Sequence, residues 1–163
     1  MATPDFILAL REKVGSDPLW LSGVTAVVLR GDRVLLAKRA DNGKWTAVTG
    51  IIDPGEQPAD AAAREVLEET GIVAVPERLA MVHVTDPVVY DNGDQTQYLD
   101  LVFRFAWRSG TPLPADGENT AVDWFPLDDL PPLSDGMLTR IAAAVSDEPA
   151  ARYLVSAQRN AGS

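Results

Sequence analysis

The stretch from residue 50 to 72 constrains this chain more than any other part of it. Residues 53–55 read Asp-Pro-Gly, a turn sequence in which proline presets φ and glycine accepts a positive φ. Pro58 suits the first turn of a helix, where its missing N–H costs nothing, and Gly71 suits the left-handed residue that often ends one. The sequence therefore predicts a loop that leads directly into a helix over residues 58–70.

Three glutamates share one side of this predicted helix. Glu65, Glu68 and Glu69 follow the i, i+3, i+4 spacing, so each like-charged pair of neighbours costs roughly a few tenths of a kcal/mol. A solvated acidic surface is one interpretation. A bound divalent cation is the other, because Mg²⁺ and Mn²⁺ bind carboxylate and carbonyl oxygens. The preceding loop favours the cation, because it can bring the Gly50 carbonyl and Glu56 to the same side.

Arg64 comes one residue before the first of these glutamates. An arginine can bind one carboxylate through two parallel hydrogen bonds. We therefore expect Arg64 to hold Glu56 and to brace the loop against the helix.

Together these residues resemble the Nudix box. Its fixed positions are filled by Gly50, Glu56, Arg64, Glu65, Glu68, Glu69 and Gly71, with Val66 and Ile72 at the aliphatic ones. The resemblance implies an α/β protein of the Nudix type, an α/β/α sandwich around a mixed β-sheet. It also implies hydrolysis of a nucleoside diphosphate linked to another moiety.

The resemblance implies a role for each residue of the box. The implied ligands of Mg²⁺ or Mn²⁺ are Gly50, through its carbonyl, Glu65, Glu68 and Glu69. The implied brace of the site is Glu56 with Arg64. The implied catalytic residues are Arg64, Glu68, Glu69 and Glu118, the last because a carboxylate from the loop before the final strand often reaches the metals or activates water in this family. Asp116 competes with Glu118 for that role, and a solvated loop acid is equally open for both.

Three residues outside the box are candidates for substrate binding. Lys38 and Arg39 end a predicted strand, where they are either solvated or placed to meet substrate phosphates. Trp45 can stack on a base, as can Trp20 and Tyr98, although each of these aromatic residues also suits the core.

The resemblance leaves the substrate open between several nucleotides. We expect a nucleoside triphosphate such as an oxidised dGTP, or ADP-ribose or a nucleotide sugar. Pro87 lies near a position associated in the family with ADP-ribose, and Tyr90 near one associated with dinucleoside polyphosphates. Val48-Thr49-Gly50 replaces the Pro-Gly-Gly of many relatives, which weakens any inference drawn from that loop. The alternative is a non-catalytic module that senses a nucleotide, but such members usually have a damaged box, whereas this one is intact.

Charge and composition limit the partners. The net charge of −10, from 24 acidic and 14 basic residues, is the wrong sign for binding long nucleic acid. A small nucleotide can still bind, because metal ions neutralise both parties. No run approaches the ~18 apolar residues of a membrane span, and no basic region precedes an apolar run, so we expect neither a membrane nor a secretory signal but a cytoplasmic protein.

The length of 163 residues predicts one domain, at 19–163, with an N-terminal helical extension at 1–18. Thr3 is expected to cap that helix. Its apolar side, with Phe6, Leu10 and Val14, can pack on the core or form a homodimer.

Hydrophobic patterns predict the remaining elements. The helix over 58–70 should pack against a sheet through Ala59, Ala62, Ala63 and Val66. The expected strands are 23–29, 34–38, 45–50, 72–75, 79–84, 97–107 and 120–125. A helix capped by Ser134 should bury Leu138, Ile141, Ala142 and Val145, and more helix is possible over 150–158. His83, the only histidine, is expected as a packed residue on a strand.

Overall fold

The computed structural model describes residues 3–156. The helices in this part of the chain are α1 (Asp5–Val14), α2 (Pro58–Thr70) and α3 (Asp135–Val145). The strands are β1 (Leu19–Arg30), β2 (Arg33–Arg39), β3 (Trp45–Thr46), β4 (Val48–Ile51), β5 (Val73–Val84), β6 (Val88–Val89), β7 (Gln95–Ser109), β8 (Asn119–Pro126) and β9 (Arg152–Tyr153). None of the helices described is long and apolar enough to cross a membrane.

These strands form one mixed sheet. Its main path runs β3-β2-β1-β7-β5-β9, while β4, β6 and β8 pair with β1, β7 and β2. The β1–β7 and β5–β9 pairs are parallel, and the other pairs are antiparallel. The first half of β1 pairs with β4 and its end pairs with β2, so both strands lie along the same edge of β1.

Helices cover both faces of the sheet. Within β1, Val24, Ala26 and Val28 pack in the hydrophobic cluster that contains α2 residues, whereas Val27 packs in the cluster that contains α3 residues. Successive side chains of a strand point to opposite faces, so α2 and α3 lie on opposite sides of the sheet. This is the predicted α/β/α sandwich around a mixed sheet.

The stretch that carries the box folds as its sequence predicts. The helix α2 begins at Pro58 and ends at Thr70. Its C-cap residue Gly71 has a left-handed φ of 67° and donates its N–H to the Leu67 carbonyl. Ala62 and Val66 are fully buried against the sheet. Burial of small side chains brings the α2 backbone close to the strands and fixes the helix on the sheet.

Proline did not end a strand where we expected. Residues 73–75 and 79–84 belong to one continuous strand, β5, which carries Pro76 opposite Phe105 of β7. The register shifts between Pro76 and Arg78. A bulge in a strand near the sheet edge tolerates proline, because the missing N–H is not needed by a second neighbour.

The predicted buried face of α3 was also wrong in detail. On α3, Met137, Ile141 and Ala144 are buried whereas Leu138 and Ala142 are exposed, although Ser134 does cap the helix by accepting a hydrogen bond from Met137 N. On β7 both faces are covered, because Asp100 and Val102 are buried under α3.

The two ends of the described chain differ from expectation. Pro4 rather than Thr3 is the N-cap residue of α1, without a side-chain cap, and Ile7 is buried where Leu10 and Val14 are exposed. Arg11 fixes this helix by donating to the Gln95 carbonyl at 2.7 Å. Part of the expected helix over 150–158 is strand β9 instead, and its residues 157 and 158 lie outside the described part.

Candidate metal and catalytic site

Arg64 lies among carboxylates on the loop side of α2. Its Nε and Nη2 donate to the two carboxylate oxygens of Glu56 at 2.9 and 3.0 Å. Its Nη1 donates to Glu65 Oε1 at 2.9 Å and to Glu68 Oε2 at 3.3 Å. The guanidinium holds the pKa of Glu56 below its usual range, and the same hydrogen bonds raise the pKa of Arg64. One arginine therefore ties the loop to the helix.

Glu65 is buried against the backbone of Gly50. A Cβ at position 50 would lie 2.3 Å from Glu65 Cγ, so no side chain fits there without moving the glutamate. Gly50 is held in place by β4, opposite Val24 of β1. Burial raises the pKa of Glu65, although Arg64 acts in the other direction.

Glu69 belongs to a second group of acids. One carboxylate oxygen from each of Glu69, Asp116 and Glu118 lies within 4.8 Å of the other two. Glu69 is only 7% exposed, and Asn119 Nδ2 donates to its Oε2 at 3.0 Å. Burial, with smaller contributions from Glu65 and Asp116, raises the pKa of Glu69 to about 7 despite that hydrogen bond. The ionised form of Glu69 is therefore disfavoured unless a cation comes close.

An open cavity of 480 Å³ lies between these two groups. Its lining is formed by Pro4, Ile51, Asp53, Arg64, Glu65, Glu68, Asp116 and Glu118. The box and the loop before β8 thus meet at one cavity on the α2 side of the sheet.

The candidate substrate-binding residues are only partly brought to this cavity. Arg39 lies close enough to Glu69 for that carboxylate to raise its pKa, but its main partner is Asp41, at 2.9 and 2.5 Å. Trp45 packs edge to face on Phe125, with ring centroids 4.7 Å apart, in the cluster under α3. Lys38 is its cross-strand partner and so shares that face. The structure therefore does not place Trp45 or Lys38 at the cavity, because the alternation of β2 and β3 turns them to the α3 side.

Two residues at the site escaped the sequence analysis. Asn119, directly after Glu118, is buried and binds Glu69. Pro4 lines the cavity although it lies far from the box in sequence. Neither residue has a spacing or a charge that could have indicated its position.

The donors around the cavity suit a hard divalent cation. They are all oxygen atoms, the ligands that Mg²⁺ and Mn²⁺ prefer. The buried Glu69 supports this fit, since burial, together with the nearby Glu65 and Asp116, raises its pKa, and a bound cation would favour its ionised form. The residues that fit such an ion are Glu65, Glu68, Glu69, Asp116 and Glu118, with the Gly50 carbonyl.

The fold and the residues around the cavity define the class of protein. The model of the NUDIX domain family matches residues 20–144, which is more than half of the chain. The chain therefore belongs to the Nudix hydrolase family and is a pyrophosphohydrolase of that family, whose members depend on divalent metals.

Several curated proteins are similar to this chain. A "MutT-like protein" of Streptomyces ambofaciens is 38% identical over 120 residues, which cover 73% of this chain and 72% of that protein. An "NAD-capped RNA hydrolase NudC" of Pseudomonas syringae pv. syringae is 31% identical over 137 residues, covering 80% of this chain but 41% of that protein. A "Putative 8-oxo-dGTP diphosphatase" of Bacillus subtilis is 43% identical over 54 residues, 32% of this chain and 36% of that protein.

Solved structures share the fold. An ADP-ribose pyrophosphatase of Streptococcus suis superposes with a TM-score of 0.65 at 23% identity, covering 82% of this chain and 98% of that one. A MutT NUDIX hydrolase of Burkholderia pseudomallei gives a TM-score of 0.57 at 30% identity, covering 77% and 98%. The identity of the first is low enough that it shows the fold alone.

Proposed function

We propose that this protein hydrolyses a phosphoanhydride bond in a small nucleoside diphosphate derivative, with Mg²⁺ or Mn²⁺ as its cofactor. The observation that carries the proposal is the buried Glu69, whose pKa is raised to about 7 within 4.8 Å of two further carboxylates. A carboxylate held in this way is best stabilised by a divalent cation.

The residues of the site divide into two roles. We propose Glu65, Glu68 and Glu69, with the Gly50 carbonyl, as the metal ligands, and Arg64 with Glu56 as the brace that holds them. When bound, a divalent cation neutralises the phosphate oxygens and makes an attacking water more acidic. Glu118 or a box glutamate takes the proton of that water, and Asp116 lies close enough to substitute.

The substrate proposed is one of two nucleotide groups. The name "Putative 8-oxo-dGTP diphosphatase" of one relative favours a nucleoside triphosphate such as an oxidised dGTP. Pro87, which lies near a position associated in the family with ADP-ribose, is the reason to keep ADP-ribose or a nucleotide sugar as the second group. Arg39 is the cation proposed to meet the substrate phosphates, since it lies near Glu69.

We also propose the domain organisation, the location and the oligomeric state of the protein. We expect residues 19–163 to act as one domain with 1–18 as an extension, in the cytoplasm. The exposed Leu8, Leu10 and Val14 of α1 support a homodimer through that helix. Light scattering of the purified chain tests the homodimer, and a monomer at micromolar concentration would rule it out.

The test of function is product release from a panel of nucleotides, with Mg²⁺ and with Mn²⁺. We expect turnover of one substrate group by the wild type and a loss of roughly 10³-fold in Glu69→Gln. The matched control is Glu77→Gln, which removes an exposed carboxylate that pairs with Arg104. Tight nucleotide binding without turnover by the wild type would instead identify a nucleotide sensor.

A further inference from the structure

Two arginines stand directly opposite one another at the turn between β1 and β2. Arg30 and Arg33 are Cα partners, joined by Gly31 and Asp32. Like charges in this position repel and destabilise a hairpin. The turn lies six residues along β1 from Val24, the partner of Gly50, so it is about 20 Å from the catalytic cavity.

These arginines differ from most others in the chain. Arg11, Arg39, Arg64, Arg104, Arg140 and Arg152 each pair with a carboxylate. Within residues 3–156, neither Arg30 nor Arg33 has an ion pair or a side-chain hydrogen bond. Two arginines without an ion pair among the described residues therefore lie on neighbouring strands of a protein whose net charge is −10.

Two tryptophans hold one of these guanidinium groups in place. Arg30 Cζ lies 4.2 Å from the ring centroid of Trp107 and 6.0 Å from that of Trp124. Stacking uses the face of a guanidinium and leaves its N–H edge available to an anion. Trp124 also has a buried Nε1–H for which the described residues supply no acceptor.

A cavity opens at the same place. It measures 370 Å³ and is lined by Arg30, Asp32, Arg33 and Trp124. This volume falls within the range of about 300–1,000 Å³ of small-molecule sites. Asp32 is the one acid in the lining, so two positive charges face one negative charge.

We propose that the Arg30–Arg33 turn is a second ligand site, separate from the catalytic cavity, that binds the phosphate group of a small anion such as pyrophosphate or a nucleotide. The two guanidinium groups bind the phosphate oxygens, and the ligand relieves the repulsion between the arginines. Binding here requires no metal, because the charge is supplied by the side chains.

Calorimetric titration of the whole chain in EDTA with pyrophosphate, and separately with ADP, tests this proposal. Removing the metal suppresses phosphate binding at the catalytic acids. We expect both ligands to bind the wild type, and Arg33→Gln to weaken both by roughly tenfold or more. Equal affinities for pyrophosphate and ADP would mean that the protein contacts only the phosphate groups. Tighter binding of ADP would mean that the protein also contacts the base. Arg30→Gln should weaken binding as well, and Asp32→Asn should strengthen it.

Arg108→Gln is the matched control. Arg108 is an exposed arginine near the end of β7, next in sequence to Trp107 but outside the cavity lining. Arg108→Gln should leave the affinities for pyrophosphate and for ADP within about twofold of the wild-type values. The proposal fails if the wild type binds neither ligand, or if Arg33→Gln and Arg108→Gln weaken binding equally, since general charge attraction would then explain the affinity.

Discussion

The two faces of the sheet each carry a buried acid, but its surroundings differ. On the α3 face, Asp100 accepts hydrogen bonds from Thr25 Oγ1 at 2.8 Å and lies 2.9 Å from His83 Nε2. Arg140 Nε lies 3.4 Å from the same carboxylate and 3.1 Å from the imidazole. Asp100 therefore has its cation and its hydrogen-bond donors within the protein.

On the α2 face the carboxylates outnumber the cationic side chains that pair with them. Arg64 serves Glu56, Glu65 and Glu68, while the side chain of Glu69 has only Asn119 as its hydrogen-bond partner among the described residues. A buried carboxylate that has an ion pair inside the fold is structural. A buried carboxylate without an ion pair can be neutralised by a cation from solution. The α3 face thus carries a closed polar cluster, whereas the α2 face of the same sheet carries an open site.

Removing one carboxylate from each face should have different effects on stability. Asp100→Asn leaves Arg140 without its charge partner in a mostly buried position and should lower the free energy of unfolding by about 3 kcal/mol. Glu69→Gln in EDTA removes a buried carboxylate that has no ion pair among the described residues, so stability should be unchanged or higher. Urea denaturation of both variants without metal checks this. If Glu69→Gln lost as much as Asp100→Asn, the difference between the faces would be refuted.

A methyl group at position 50 should disable the α2 face without unfolding the protein. In Gly50→Ala the new Cβ would lie 2.3 Å from Glu65 Cγ and would push that proposed metal ligand out of place. Misplacement by about 1 Å can cost roughly 100-fold in rate, and we expect at least that loss in kcat/KM. The matched control is Gly136→Ala in α3, where a Cβ meets nothing within 4 Å and the rate should not change. Near-normal turnover by Gly50→Ala would mean that Glu65 is not needed where the structure places it.

The sequence was most informative where chemistry follows local spacing. The positions of Arg64 and Glu65 relative to Gly50 depend on one loop and one helix, and helical periodicity places side chains reliably. The sequence left Trp45 open between base stacking and core packing, because a short strand gives no local signal of which face its first side chain takes. Asn119 was missed because its contact with α2 depends on how the chain returns to the sheet.

Substitution of the two loop acids, Asp116 and Glu118, should have different effects on kcat. Asp116 and Glu118 both approach Glu69, but Glu118 is half-buried whereas Asp116 is exposed. If Glu118 takes the proton of the attacking water, Glu118→Gln should lower kcat by roughly 100-fold and remove a limb of the pH–rate profile, whereas Asp116→Asn should lower it by less than about tenfold. Steady-state kinetics at several pH values measures both. A larger loss in Asp116→Asn would reverse the assignment.

The smallest expected effect concerns the brace at the edge of the acidic site. Arg64 lowers the pKa of Glu56 in the folded protein below the ordinary value of 4.5. The unfolded chain therefore takes up a proton at higher pH than the folded one, so the pair stabilises the fold above about pH 4.5 and this stabilisation is lost as pH falls through the folded pKa. The difference in unfolding free energy between wild type and Glu56→Gln should be no more than about 1 kcal/mol at pH 6, because solvent reaches the pair, and it should shrink below pH 4.5. In an Arg64→Gln background the same substitution should show a much smaller pH dependence, since only the Asp53 N–H, which donates to Glu56 Oε2 at 3.3 Å, still lowers the pKa of Glu56. An undiminished dependence would mean that a group other than Arg64 holds Glu56 ionised.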